Sequence, residues 1–87
     1  MVFKKMRGIN LPEEKQGLIR FICLTYKEQP QRTRDKINRM CREFGGDDAS
    51  ALFDVMCTTK SIVHISLQHH VSQETLYRQR RSFYEHW

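Results

Sequence analysis

Two kinds of chemistry are open to the side chains of this chain. Cys23, Cys41, Cys57 and the histidines offer thiol and imidazole chemistry, and a polar run near the C-terminus offers hydrogen-bond recognition. Soft thiolates and imidazoles are the ligands that zinc takes, but the spacing does not suit it. There is no closely spaced cysteine pair followed by a histidine pair, although His64 with His69 or His70 falls within loose ligand spacing. A cysteine nucleophile needs its thiolate beside an imidazole. Only Cys57 and His64 are near each other in sequence, with no glycine-rich loop to supply oxyanion donors. Gly45-Gly46 lacks the following Lys-Ser/Thr of a phosphate-cradling loop. The cysteines fall inside apolar-periodic segments, where a free thiol serves as a small core hydrophobe, and their odd number argues against a disulfide framework. The expectation is a protein that is not an enzyme and carries neither metal nor cofactor.

The polar run is more informative. Gln73, Glu74, Tyr77, Arg78 and Arg81 include the residue types that read base edges. Arginine pairs bidentately with guanine O6 and N7, glutamine pairs with adenine, and glutamate accepts from cytosine N4. In a helix beginning at Gln73, all five positions project away from Leu76 and Phe83. Lys60, Ser61, Ser72 and Arg80 flank them as candidates for phosphate contacts, which set register and not sequence preference. Phe83, Tyr84 and Trp87 are expected in the core or in dimer contacts. Stacking platforms for bases usually sit on open sheets or grooves, which this chain does not suggest.

Helical periodicity must position these groups. Pro12, with Glu13 and Glu14 beside it, suits a first helical turn, and Leu18, Ile19, Ile22, Cys23 and Tyr26 follow at three- and four-residue steps up to the break at Pro30. A second helix is expected over about Thr33 to Phe44, with Ile37, Met40, Cys41 and Phe44 on one stripe and Gly45-Gly46 ending it. Asp47 or Asp48 would cap a third, whose face is Ala51, Leu52, Val55 and Met56. Ser61 would cap a fourth, Ile62 to about His69. Its β-branched residues also fit a strand, but the chain offers no partner strand. Ser72 would cap the last helix, with Leu76, Arg80, Phe83 and Trp87 on one stripe and Tyr77, Arg81 and Tyr84 on another. The expected fold is all-α, a small bundle of about five helices. A basic arm (1–10) and a helical support (11–60) would precede a C-terminal helix-turn-helix (61–87), all in one domain.

A helix-turn-helix needs an inward apolar residue beside a small one, a tight turn, a buried apolar residue, a capping hydroxyl and an apolar anchor. Ile65, Ser66, the His70-Val71 turn, Ser72 and Leu76 occupy those places in order. The run from Val71 to Arg78, followed by Arg80-Arg81 and Phe83-Tyr84, resembles the helix-turn-helix superfamily over the last third of the chain. Within it, the likeness is to the promoter-reading region of sigma factors and to small phage late-gene activators of the RinA and ArpU kind. In two respects the chain departs from the pattern, since His70 replaces the usual turn glycine and His69 stands where an apolar residue normally packs. The resemblance implies sequence-specific binding of double-stranded DNA, control of transcription in a bacterium, phage or mobile element, and a homodimer or recruitment by a larger complex.

With 87 residues the chain builds one modest core, and its net charge of +5 favours an acidic polymer as partner. Met1–Gly46 holds eleven Lys/Arg against five Asp/Glu, whereas Ser61–Trp87 holds three against two. No apolar run approaches the roughly 20 residues of a membrane span, and no signal-peptide stretch follows the basic start, so a cytoplasmic protein is expected. The rival function is a small protein-interaction module whose helical core and basic face dock an acidic partner such as a polymerase subunit, with the terminal helix pairing with its own copy through Leu76, Phe83, Tyr84 and Trp87.

Overall fold

Ile9, near the end of the expected basic arm, is buried against the helices that follow it. In the computed structural model, which describes residues 9–87, the chain is all-α, with no strand among the described residues. The first eight residues of the expected basic arm lie outside the described residues.

Helix α1 spans Glu13–Leu24, with Pro12 at its N-cap and Glu13 and Glu14 in its first turn. It ends earlier than the apolar spacing predicts. The Thr25 hydroxyl donates back to the Phe21 carbonyl at 2.7 Å and accepts from Gln29 Nε2 at 2.9 Å. A 3₁₀ turn over Tyr26–Glu28 then carries Tyr26 off the helix. There it packs edge-on to Phe53, ring centroids 5.0 Å apart, and its hydroxyl accepts from Asn38 Nδ2. The buried stripe of α1 also differs from the expected one. Gln16, Ile19 and Cys23 point inward, while Leu18 is 58% exposed. Gln16 belongs inside because its Nε2 donates to the Leu11 carbonyl at 2.9 Å, satisfying the backbone of the segment that leads into the helix.

Helix α2, Gln31–Gly45, starts two residues before the expected Thr33, because the Pro30 carbonyl accepts from the Thr33 and Arg34 amides and opens the helical ladder there. Ile37, Met40 and Cys41 are buried as their spacing predicts. Gly45 sits tightly against α3: a Cβ there would lie 3.3 Å from Leu52 Cβ. Gly46 takes φ +54 and turns the chain.

Helix α3, Ala49–Cys57, is the platform against which α1, α2, α4 and α5 pack. Its buried face is the expected Ala51, Leu52, Val55 and Met56. Asp48 stands at its N-cap position without a side-chain cap bond and instead accepts from Gln79 Nε2 at 3.4 Å. At the other end, Arg20 of α1 donates to the carbonyls of Val55, Met56 and Thr58 at 2.6, 2.7 and 2.8 Å. Those are orphan acceptors of the last helical turn and the residue beyond, and one guanidinium fork satisfies all three. Helices α4, Ile62–His69, and α5, Gln73–Glu85, complete the chain. No described helix is long and apolar enough to cross a membrane.

Candidate nucleic-acid interface

Local hydrogen bonding builds the α4–α5 unit. The Ser61 hydroxyl accepts from the His64 amide at 3.1 Å and so caps α4. At the far end of α4 the amides of His70 and Val71 both reach the Ser66 carbonyl, the pattern by which a helix closes through a left-handed residue. His70 supplies that residue at φ 57, ψ 42, among the few non-glycine types that tolerate it. The Ser66 hydroxyl donates to the Val71 carbonyl, which ties the turn to the helix it leaves. Val71 is buried, and Ser72 then caps α5, accepting from the Thr75 amide at 3.1 Å while its own hydroxyl donates to Thr75 Oγ1.

Asp54 of α3 anchors the unit from beneath. His69 Nε2 lies 2.8 Å from Asp54 Oδ2, and Lys60 Nζ lies 3.6 Å from the same oxygen. His69 is thus not a failed apolar contact. It meets the Asp54 carboxylate where the resemblance leads one to expect an apolar residue, and the expected phosphate residue Lys60 shares that carboxylate.

On α5 the buried stripe is Leu76, Gln79 and Phe83, joined at the C-terminal end by Tyr84. Gln79 takes the place expected for Arg80. Its Nε2 approaches both the Gly45 carbonyl and Asp48, so α5 is pinned to the α2–α3 corner through polar atoms. Arg80 lies half-buried on the flank with its guanidinium carbon 5.0 Å from the centre of the Tyr77 ring, and desolvation lowers its pKa. Gln73, Glu74, Tyr77, Arg78 and Arg81 are all exposed. At 100° per residue they share an arc of about 140° on the first turns of α5. Neither Arg78 nor Arg81 pairs with a carboxylate among the described residues. Ser61 and Ser72 are exposed at their caps.

The aromatic residues divide. Phe83 and Tyr84 are 0% and 1% exposed within this one chain, so of the two roles expected for them they take the core and leave no surface for a dimer. Trp87 keeps part of its surface: Phe83 stacks on it at 5.8 Å, and Lys36 Nζ stands 4.0 Å from its ring centre. The Tyr84 hydroxyl has no hydrogen-bond partner among the described residues, and burial pushes its pKa up to about 12.

Cys41 and Cys57 are held as thiols, not as nucleophilic thiolates. Burial pushes Cys41 up to about 12, and a hydrogen bond with Cys23 together with burial raises Cys57. Among the described residues no three His, Cys, Asp or Glu side chains gather as a metal ion would need.

Sequence reasoning missed Arg20, Gln16 and Gln79, three polar residues on inward faces. Gln79 and Gln16 each left a trace, since Gln79 completes a three-then-four spacing from Leu76 to Phe83 and Gln16 opens the same spacing through Ile19 to Cys23. Comparison with known proteins finds no family model, no curated protein and no solved structure that matches this chain. The functional reading therefore rests on its own geometry.

Proposed function

We propose that α4 and α5 act as a helix-turn-helix that binds double-stranded DNA with sequence preference, in control of transcription in a bacterium, phage or mobile element. The observation that carries this reading is the free face of α5. Gln73, Glu74, Tyr77, Arg78 and Arg81 stand side by side and exposed, on a helix whose opposite face is locked into the core by Leu76 and Phe83. That face offers guanidinium, amide and carboxylate groups together, the mixture that discriminates base edges in a major groove. Lys60, Ser61 and Ser72, at the starts of α4 and α5, supply phosphate contacts, and Arg80 reaches the backbone only from the flank. The unit needs no cofactor and catalyses nothing. One such unit covers few base pairs, so two copies on half-sites about 34–36 Å apart, or recruitment by a larger complex, complete the recognition.

A second reading, docking onto another protein, draws on Val63 and Leu67. They lie one turn apart on the outer face of α4 and are 52% and 73% exposed. An acidic partner such as a polymerase subunit, or a second copy of the chain, would cover them.

The test is binding of labelled random duplex DNA across a salt series, with the parent chain beside Arg78→Ala/Arg81→Ala. Affinity of the parent should fall steeply with salt, and the double variant should lose most of its affinity. Absence of binding at low salt defeats the proposal and favours the protein-docking reading.

A further inference from the structure

Unpaired positive charge is not confined to α5. Arg32, Lys36 and Arg39 follow one another at four- and three-residue steps along α2, so they share one face of it. None of the three pairs with a carboxylate among the described residues. They line an open cleft of ≈ 370 Å³ with Thr33, Ile22 of α1 and Trp87 at the end of α5. Its size is that of a small-ligand site.

Chemically the cleft is one-sided. Its two arginines are exposed and present planar forks of N–H donors, the geometry that suits phosphate oxygens. Lys36 is half-buried, and the contact that holds its ammonium is the Trp87 ring and not an acid. A cation resting on a partly exposed ring is held weakly compared with one that donates to an anion. Lys36 can therefore leave the ring for an incoming phosphate, and Trp87 registers the change.

We propose that this cleft is a phosphate-binding site, in which Arg32, Lys36 and Arg39 hold the phosphate group of a nucleotide or of a nucleic-acid strand against the Trp87 wall. The site lies beyond the α5 reading face and does not depend on it. A free nucleotide and a strand backbone present the same chemistry, and the experiment separates them.

Trp87 is the only tryptophan in the chain, so its emission reports on the cleft directly. Inorganic phosphate, a nucleoside monophosphate and a short oligonucleotide duplex are titrated at low salt, with calorimetry read in parallel to detect binding that leaves the ring unmoved. The duplex is titrated into Arg78→Ala/Arg81→Ala, which disables the proposed DNA-reading face, so that a failure of that reading and a failure of this one give different results. A saturable response to inorganic phosphate or the monophosphate identifies a free ligand, and a response to the duplex alone identifies a strand backbone. In either case Arg32→Ala/Arg39→Ala should weaken binding by about tenfold or more, since two charge-assisted donors are lost. Both arginines are exposed, and unchanged circular dichroism confirms that the variant is folded. No heat and no emission change with any probe overturns the proposal, as does an unaltered response in the arginine variant.

Discussion

Helices α2 and α5 are built alike and armed differently. Each buries one largely apolar stripe against α3 and leaves a free face that carries arginines. On α2 the charged groups of the cleft are donors only, Arg32, Lys36 and Arg39, whereas on α5 Gln73 and Glu74 add acceptors to Arg78 and Arg81. Uniform donors attract any phosphate and tell one base from another poorly. Mixed donors and acceptors on one rigid face can discriminate. Under the proposed function, the charge excess of the first half of the chain would serve attraction, and the nearly balanced last third would serve reading.

The largest effect expected from breaking this comparison comes from the stripe that holds α5 in place. Leu76→Ala should cost about 2–5 kcal/mol in urea denaturation, because the side chain is fully buried and leaves a cavity. Arg78→Ala on the opposite face should change stability by less than about 0.5 kcal/mol, and equal losses for the two would show that the free face is not free.

Arg20→Ala acts on the platform common to both helices. Removing the fork from three carbonyls at the end of α3 should cost about 1.5–3 kcal/mol, and Arg20→Lys should recover only part of it. A loss below about 0.5 kcal/mol would mean that water replaces the guanidinium at no cost.

Each helix also carries one buried weak acid, Cys41 on α2 and Tyr84 on α5, both pushed up to about 12. These folded-state values lie above the unfolded ones, 9.0 for the thiol and 10.0 for the phenol. Their contribution to stability is thus fully present below about pH 9 and is lost as pH rises toward 12. Urea midpoints should hold between pH 7 and 9 and decline above that. Tyr84→Phe should flatten part of the decline at little cost at neutral pH, because the hydroxyl it removes is buried without a partner among the described residues. A decline identical to that of the parent would remove Tyr84 from the account.

The smallest change is expected at the turn. His70→Gly relieves a non-glycine residue at φ 57 but adds freedom to the unfolded chain, so stability should rise by no more than about 1 kcal/mol. A clear loss would show that the imidazole itself holds the turn.

The two caps of the α4–α5 unit, Ser61 and Ser72, were legible because a cap is a matter of three residues and one hydroxyl. The stripe of α3 was legible because every inward position on it is apolar. The stripes of α1 and α5 were misread at Leu18 and Arg80, since at each the chain buries a glutamine that periodicity counts as surface. Apolar spacing extends α1 to Tyr26, because nothing local in the sequence reveals that Phe53 and Asn38 draw that residue away.

Helix-forming periodicity, the breaks at Pro30 and Gly45-Gly46, the serine caps and the set of residues on the outer face of α5 were thus determined by the sequence itself, because each depends on neighbours within one or two turns. The tertiary structure decided which polar groups go inside and which cations stay unpaired. Arg20 finds its first carbonyl 35 residues away, Gln79 finds Asp48 31 residues away, and Lys36 meets Trp87 only when α5 folds back on α2. A buried polar group is stable only where its partner stands, and no local pattern records where a distant partner will be.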